Sequence, residues 1–478
     1  MPDLNFSFTL EDFNQGLSPL AHVDNKTFYG AKGQASDMLA DIISKPGFLT
    51  QSPALANLTN GTQAGVVDQL IRFILDKPIS STLTYGLGTS KLFRITPDTV
   101  TSGGSPSFPQ TVTNMTSGES LVRLNANLYG FYNKASGGDI FQMPLSTEVI
   151  DDDWGSTNDV ALVNAPHPVC VKEDIMLFGN GQYVGLYIEG TGILNTQHLD
   201  FGAGSEVVDI VFTSNNFWIA VNSGEGKRGQ VYLYDAGAQS NQLNDEAGIG
   251  DQQIGFLYVY NGNVYVAYED TSSDSYVIGY VAGKAVKPLR YFSGSLPDHR
   301  QKALYRDTII FTNGTNILSM GASVEQLPLQ ISNLVDAGYS TVGAVACPFG
   351  VPMIASTDGS SNHRIAKFSG YSTDSTWKSI FYDITSGKML GKIQNIIVYS
   401  KALGANARCD ISVQTNQDTN TESTALQYSG TGLTRKAFTS IDAPQSEDFR
   451  IVVSWANGNT TNDCPIRKIV VEGNYVER

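Results

Sequence analysis

The stretch NFWIAVNSGEGKRGQVYLYDAGA (216–238) decides the fold. It holds two short runs, FWIAV and QVYLY, that are rich in β-branched and aromatic residues, and a turn rich in Gly and Ser separates them. Such residues suit a pleated sheet, so the stretch predicts a β-hairpin. A single hairpin says little, whereas a regular array of hairpins specifies an architecture.

Six further stretches repeat this pattern of strand, polar turn and strand. They are SSTLTYGLGTSKLFRITPD (80–98), NANLYGFYNKASGGDIFQMPL (125–145), EDIMLFGNGQYVGLYIEGTG (173–192), GNVYVAYEDTSSDSYVIGYVAGK (262–284), RDTIIFTNGTNILSMGAS (306–323) and GVPMIASTDGSSNHRIAKFSG (350–370). Measured from the start of the first strand in each copy, the interval is about 42 to 47 residues, which is the length of one four-stranded propeller blade.

A further strand precedes several of the hairpins. These strands lie in 65–75, 206–215, 252–261 and 339–348, and the first two share the triplet Val-Val-Asp, which ends at Asp68 and Asp209. The seven copies predict an all-β fold with a seven-bladed β-propeller over 65–384. Six blades and one flanking sheet are the alternative. A strand from 47–55 or from 375–384 is expected to close the ring, so that no blade edge stays exposed.

The two ends of the chain differ from the repeats. Longer strands with alternating apolar residues predict a β-sandwich or jelly-roll domain over 385–478. Residues 1–64 are polar and rich in Gly, which indicates an extended arm that packs on the propeller or on a neighbouring subunit. The arm contains one predicted helix, ASDMLADIISKP (35–46), which would begin after an N-cap at Ser36.

Composition excludes several classes of function. The net charge is −15 in 478 residues, most of it in 65–384, so charge would not draw the protein to nucleic acid or anionic lipid. No signal peptide and no long apolar run is evident, which predicts a soluble protein without membrane insertion. The four cysteines, Cys170, Cys347, Cys409 and Cys464, lack metal-ligand spacing. They are expected to be reduced thiols, with a Cys409–Cys464 disulfide as the alternative.

The acidic cluster Asp151, Asp152 and Asp153, followed by Trp154, is the strongest candidate for chemistry. Carboxylates can bind a divalent cation or protonate a sugar. Consecutive residues of an extended chain point in opposite directions, however, so a solvated loop between blades is the favoured interpretation.

The other patterns are weaker. GLGTSK (86–91) lacks the spacing and the helix of a phosphate-binding loop, and SGSLPDH (293–299) lacks the spacing of a hydrolase elbow. STDGSSNHR (356–364) departs from the turn repeated in sialidase-type propellers. No pair of histidines has zinc-ligand spacing, and no tryptophans cluster as a platform for sugars. The five histidines are His22, His167, His198, His299 and His363, and the four tryptophans are Trp154, Trp218, Trp377 and Trp455. We therefore expect no catalytic residue, no cofactor and no metal.

The chain as a whole resembles the virion tail proteins of tailed bacteriophages, in particular the propeller-bearing hub or nozzle subunits of short-tailed phages. The resemblance rests on a D-F-x-x-G-L turn near the N-terminus, the stretch DIISKPGFLTQSPAL (41–55), the propeller repeats, and a terminal sandwich entered through STWKSIFYDI (375–384). The residues of the turn are Asp12, Phe13, Gly16 and Leu17.

This resemblance implies a non-enzymatic part of the virion tail that is assembled in the host cytoplasm. Its expected partners are copies of itself in a symmetric ring, other tail proteins such as the tail adaptor, and tail fibre or spike proteins. DNA would pass such a ring without specific binding, because an acidic propeller repels the duplex. A glycan-binding adhesin and a propeller-fold glycoside hydrolase remain the alternatives.

Overall fold

The chain folds almost entirely as β-strands. A computed structural model describes residues 5–11, 13, 35–41, 47–58, 69–158, 160–213, 216–224, 228–235, 245–260, 262–270, 274–306, 308–314, 316–321, 330–336, 340–357, 362–384, 389–415 and 421–477. The single helix in these ranges, α1 (Trp154–Thr157), has four residues. No helix in the described ranges is long and apolar enough to cross a membrane. The predicted all-β class is confirmed.

Two compact units make up the chain. The sandwich unit comprises residues 1–55, 316–337 and 368–478, and the propeller unit comprises 56–315 and 338–367. This division differs from the three consecutive segments 1–64, 65–384 and 385–478 expected from the sequence, because the N-terminal strands belong to the same unit as the C-terminal ones.

The predicted helix over 35–46 is wrong. Four strands come first in the chain: β1 (Asn5–Leu10), β2 (Ala35–Asp41), β3 (Thr50–Gln51) and β4 (Pro53–Asn57). Within β2, Met38 and Ala40 are both buried, which is the alternation of a strand, and Ala40 pairs with Gln51 of β3. Sheet pairing therefore overrides the local helical preference. Residues 42–46, the side chain of Ser36, and Asp12, Gly16 and Leu17 of the quoted turn lie outside the description.

The strands of the repeats follow in chain order. They are β5 (Phe73–Ile74), β6 (Thr84–Leu87), β7 (Leu92–Ile95), β8 (Val100–Ser102), β9 (Ser117–Leu124), β10 (Asn127–Asn133), β11 (Gly138–Pro144), β12 (Val169–Lys172), β13 (Ile175–Asn180), β14 (Tyr183–Ile188), β15 (Ile193–Asp200), β16 (Glu206–Thr213), β17 (Asn216–Ser223), β18 (Arg228–Tyr234), β19 (Asp245–Gly250), β20 (Ile254–Tyr260), β21 (Asn263–Glu269), β22 (Ser275–Ala282), β23 (Ala285–Ser293), β24 (Lys302–Tyr305), β25 (Thr308–Thr312), β26 (Asn316–Gly321), β27 (Gln330–Asp336), β28 (Thr341–Ala346), β29 (Met353–Thr357) and β30 (His363–Tyr371). Each predicted hairpin is present; β26 and β27 belong to the sandwich unit.

Seven of these strands form a ring within the propeller unit. They are β5, β9, β12, β16, β20, β24 and β28, each the first strand of its repeat. From β5 to β20 each strand packs against the next, β24 packs against β28, and β28 packs against β5. Lys302 of β24 reaches the carbonyl of Leu257 in β20 and joins the fifth and sixth blades. The fold is a β-propeller, and the ring has seven inner strands.

The second blade departs from four strands. It contains β9, β10 and β11, and the backbone of Asp151 takes the place of a fourth strand by exchanging two hydrogen bonds with Gln142 of β11, at 3.0 and 2.8 Å. The first of the three aspartates is therefore fixed at the edge of a blade.

Aromatic rings cover glycines inside the blades. In antiparallel pairs, Phe141 lies opposite Gly130, and Phe178 lies opposite Gly185. A Cβ atom at Gly130 would lie 2.1 Å from the Phe141 ring, and one at Gly185 would lie 2.2 Å from the Phe178 ring. Glycine is needed at both positions because the rings occupy the space of a side chain.

The ring is closed from its N-terminal side. The backbone N–H of Leu58, which directly follows β4, donates to the carbonyl of Ile365 in β30 at 3.1 Å. Of the two candidate closing segments, 47–55 precedes this contact, whereas 375–384 supplies strands to the sandwich unit.

The sandwich unit contains two principal sheets. Its last strands are β31 (Thr376–Ser379), β32 (Tyr382–Asp383), β33 (Met389–Ser400), β34 (Arg408–Thr415), β35 (Thr421–Glu422), β36 (Leu426–Ser429), β37 (Arg435–Thr439), β38 (Asp448–Ser454) and β39 (Ile466–Glu477). One sheet has the order β1-β39-β33-β37 and the other β3-β2-β31-β38-β34-β35. The core includes Trp377 and Trp455, both fully buried. The alternating apolar residues point inward, as the sequence predicted.

All four cysteines are free thiols. Cys409 and Cys464 are buried in the sandwich core with their sulfurs 3.5 Å apart, a hydrogen-bond contact rather than a disulfide. Burial raises the pKa of Cys409 well above its usual value.

Candidate functional site: the axial cavity

A cavity of about 420 Å³ lies inside the ring of inner strands. Residues from all seven blades line it. They include Phe73, Ile74, Asp76 and Lys77 from the first blade, Ser120 from the second, Cys170 and Val171 from the third, Asp209 and Phe212 from the fourth, Leu257 and Tyr258 from the fifth, His299, Arg300, Lys302 and Leu304 from the sixth, and Val345 from the seventh. Its apolar walls and few convergent polar groups make it the candidate site of this unit.

Arg300 lines this cavity and is the centre of an ion-pair cluster in its wall. Its guanidinium donates to Glu119 Oε2 at 3.0 Å and to Asp298 Oδ2 at 3.1 Å. Burial by itself would raise the pKa of Asp298, but the charge and hydrogen bonds of Arg300 outweigh burial and lower that pKa to about 2. Burial likewise opposes the charge of Arg300, and the two carboxylates outweigh it and raise the pKa. Arg300 and Asp298 are therefore both charged near neutral pH.

Lys302 and Asp209 form a second buried pair. The Lys302 ammonium contacts Asp209 Oδ2 and the carbonyl of Leu257. The same Asp209 oxygen accepts the backbone N–H of Leu257 at 2.6 Å. Asp209, the aspartate of the Val-Val-Asp triplet, thus ties the fourth, fifth and sixth blades together. Asp68, its counterpart in the sequence, lies outside the described residues.

Two buried histidines belong to the same polar network. His299 Nε2 lies 3.3 Å from the carbonyl of Glu119 and 3.4 Å from Ser120 Oγ. His167 Nε2 lies 3.2 Å from Asn133 Oδ1, and Asn133 Nδ2 in turn donates to Glu119 Oε1 at 3.2 Å. Burial lowers the pKa of both imidazoles, so both are neutral at pH 7.

Asp76 and Cys170 also belong to the polar lining, and Cys347 lies next to Asp76. The Asp76 carboxylate accepts the backbone N–H of Cys347 at 2.6 Å, which joins the first and seventh blades. The Asp76 side chain lines the cavity. Desolvation by the surrounding protein raises the pKa of its carboxyl. Burial raises the pKa of Cys170 and Cys347 to about 12, so neither is a reactive thiolate.

This arrangement can hold blades together and admit a small molecule, and cations engage three of its carboxylates. Glu119, Asp298 and Asp209 each contact a cation, and a carboxyl with a pKa near 2 cannot act as a general acid at neutral pH. Across the described ranges, no group of three or more His, Cys, Asp or Glu side chains could hold a metal ion.

Among the described residues, the candidates singled out in the sequence, namely the acidic cluster and the histidines, do not come together in one site. Asp151 and Asp153 are exposed, and Asp152 accepts the backbone N–H of Thr113 at 3.0 Å, so this cluster lies outside the lining of the cavity. His198 contacts Tyr234 OH at 2.7 Å. His363 contacts Thr357 at 3.1 Å. His22 and the turn residues 358–361 lie outside the description.

The tryptophans do not build one sugar-stacking surface. Trp154 packs against Tyr129 at 5.3 Å between ring centroids and is mostly buried, Trp218 lies in β17, and Trp377 and Trp455 are in the sandwich core. The Gly-rich turn 86–91 joins β6 to β7, as a hairpin turn was expected to do.

Sequence reasoning missed the charged centre of the cavity. Asp298, Arg300, Lys302 and Glu119 drew no attention, although SGSLPDH (293–299) contains Asp298 and His299. The only available signal was the dense charge of Asp298, His299 and Arg300 immediately before an apolar inner strand.

Comparisons with known proteins identify no relative in sequence. No protein-family model matches the chain, and no protein with curated annotation is significantly similar to it. Among solved structures, the chain is similar to a hydrazine synthase of Kuenenia stuttgartiensis, with 10% identity, a TM-score of 0.43, and coverage of 64% of this chain and 97% of that one. It is also similar to an aldose sugar dehydrogenase of Streptomyces coelicolor in its PQQ-bound form, with 10% identity, a TM-score of 0.38, and coverage of 66% and 98%. A third similar structure is the Dos1 propeller, with 10% identity, a TM-score of 0.39, and coverage of 60% of this chain and 75% of that one.

Proposed function

We propose that the chain is a non-enzymatic structural component of a phage tail: a hub, nozzle or head-tail connecting ring. The observation that carries the proposal is the use of charge in the axial cavity. Ion pairs at this cavity engage five charged side chains: Glu119, Asp298, Arg300, Asp209 and Lys302. Groups paired in this way hold an arrangement together and are not free to act as a general acid or base, which favours a structural role for these five residues.

The overall charge supports the same function. A subunit that surrounds or abuts a DNA channel should not adhere to the duplex, and a net charge of −15 favours repulsion. In this proposal the chain assembles with copies of itself and with other tail proteins, including the adaptor and the fibre or spike proteins. It resides in the virion after assembly in the host cytoplasm.

Sequencing the DNA that flanks the gene tests the proposal first. Portal, capsid and packaging genes beside it would support a virion role, and mass spectrometry of purified particles should then detect the protein. Metabolic or sugar-uptake genes as neighbours would contradict it. Deletion of residues 1–34 tests the role of the arm: we expect the truncated protein to be absent from virions, and normal incorporation would remove that role.

The alternatives make different predictions. A glycan-binding adhesin would give reproducible binding on an oligosaccharide array, which the structural proposal does not expect. A glycoside hydrolase that uses the acidic cluster would lose glycan cleavage when Asp151, Asp152 and Asp153 are all changed to Asn. We expect the unchanged protein to cleave no glycan in the same assay.

A further inference from the structure

A basic groove lies on the sandwich unit, on the sheet with the order β1-β39-β33-β37. It has a volume of about 760 Å³, and the described residues that line it include three cations, Arg435, Arg467 and Lys468, and one carboxylate, Glu11. Gly47, Tyr399, Ser400 and Thr434 complete it. We call this feature the basic groove.

Strand register places the groove residues in one row. Tyr399 of β33 lies directly opposite Arg435 of β37 on one side and opposite Lys468 of β39 on the other. Directly opposed residues on one face of an antiparallel sheet have neighbouring side chains. The row is therefore cation, aromatic ring, cation. The Arg435 guanidinium lies 5.6 Å from the centre of the Tyr399 ring, and its Nε lies 3.3 Å from the Tyr399 hydroxyl.

A β-bulge adds the third cation to this row. The pairing of β33 with β39 shifts between Tyr399 and Ser400, which lie opposite Lys468 and Ile466, so Arg467 is the extra residue. A bulge changes the direction of a side chain, and here both Arg467 and Lys468 line the groove although they are consecutive residues.

Arg300 is mostly buried between two carboxylates, whereas the cations of the groove are not held in buried ion pairs across the described ranges. Lys468 makes one long contact of 3.6 Å with Glu11, and both side chains are more than a third exposed. Arg467 is exposed, and its side chain makes no hydrogen bond or ion pair with any described residue. An exposed guanidinium with its donors unused can bind a carboxylate or phosphate in a bidentate manner.

We propose that the basic groove binds an acidic segment of a partner protein through its aspartate and glutamate side chains. A protein segment is favoured over nucleic acid for two reasons. Glu11 lies at the groove and would repel a continuous phosphate backbone, and the chain as a whole carries −15, so a long polyanion would meet repulsion beyond the groove. A short segment with two or three carboxylates matches the three cations and does not extend into the negatively charged surroundings that would repel a long polyanion. The inference stands on the groove alone and holds whether or not the protein belongs to a phage tail.

Fluorescence anisotropy with the full-length protein tests the groove. The probe is a fluorescein-labelled peptide with the sequence TEVIDDDWGSTN, which is the chain's own most acidic stretch (147–158). The same peptide with all three aspartates replaced by asparagine is the ligand control, and a labelled oligonucleotide of twelve thymidines is the nucleic-acid probe. Titrations are made at low salt and at about 0.15 M salt, where exposed charges are screened beyond about 8 Å.

The protein variants separate the groove from general charge. R467S/K468S removes two cations of the groove, and K392S/K436S removes two cations that do not line it. We expect the acidic peptide to bind the unchanged protein, with a loss of at least tenfold in affinity for R467S/K468S and little change for K392S/K436S. We also expect weaker binding at the higher salt and none to the asparagine peptide.

Other results would overturn the inference. It fails if the acidic peptide does not bind, if the asparagine peptide binds equally, or if both double variants lose affinity alike. It also fails if the oligonucleotide binds more tightly than the peptide and depends on Arg467 and Lys468, because the groove would then be a nucleic-acid site. Circular dichroism of the variants confirms that each is folded, which is expected because the altered side chains lie on the surface.

Discussion

The centre of the axial cavity and the basic groove use the same kinds of side chain for opposite purposes. In the cavity, Arg300 is mostly buried and held between Glu119 and Asp298. In the groove, Arg467 is exposed and makes no ion pair with any described residue. Burial makes the difference: a charge removed from water must be paired within the protein, whereas an exposed charge is free to meet a ligand.

This contrast separates structure from recognition. The paired charges of the cavity connect strands from different blades, so their removal should affect stability. The exposed charges of the groove contribute little to folding, so their removal should affect binding. Measurements of unfolding free energy can therefore confirm or break the comparison.

The largest effect is expected from Arg300→Met in the cavity. The change leaves Glu119 and Asp298 without their cation, and breaking a buried pair costs about 3–5 kcal/mol. The matched control is Arg228→Met, because Arg228 and Asp251 form an ion pair with side-chain exposures of 72% and 76%. Urea unfolding of both variants checks this. Equal stabilities would show that the cavity charges do not hold the blades.

A smaller effect is expected from packing inside a blade. Gly130→Ala would place a Cβ atom 2.1 Å from the Phe141 ring, and overpacking of this kind costs about 1–3 kcal/mol. Gly248→Ala is the control, since a Cβ atom there has no neighbour within 4 Å. Thermal unfolding should show a lower midpoint for the first variant only. Equal midpoints would mean that the ring above Gly130 can move aside.

The ion pair of Asp298 predicts a dependence on pH. Its folded pKa of about 2 lies below the value of about 3.9 for an unfolded aspartate. The carboxylate therefore stabilises the fold above about pH 3.9, and this contribution is lost as the pH falls through 2. We expect the stability difference between the unchanged protein and Arg300→Met to shrink between pH 4 and pH 2. A constant difference over that range would contradict the assignment.

The smallest effect on stability is expected at the groove. Arg467→Met removes an exposed cation without a described partner, and such surface changes usually alter stability by less than about 0.5 kcal/mol. Urea unfolding should give the same midpoint as the unchanged protein. A loss comparable to that of Arg300→Met would show that Arg467 is structural, which would weaken the contrast between the two regions.

Much of the propeller could be predicted from the sequence because its hairpins are local. The two strands of 216–238 are joined by a short turn, so their pairing depends on neighbouring residues and repeats with the same spacing along the chain. The helix expected at 35–46 failed for the opposite reason. The pairing of β2 with β3, and of β2 with β31 far along the chain, outweighs the local preference of Met38, Leu39 and Ala40 for a helix.

The candidate sites were less predictable than the fold. Glu119 and Arg300 are separated by 181 residues and meet only because the ring brings their blades together. The groove depends on the register of β33, β37 and β39 and on one bulge, and none of these has a local signature in the residues concerned.

The sequence by itself determined that the protein is all-β, that its centre is an array of hairpins and that its ends differ from that array. Alternation of apolar residues and the chemistry of turns act over a few residues, and both can be read along the chain. Only the tertiary structure decided which strands close the ring, which unit the N-terminal strands join, and which charges are paired or left free. Those outcomes depend on burial and on contacts between distant residues, which follow from the complete fold.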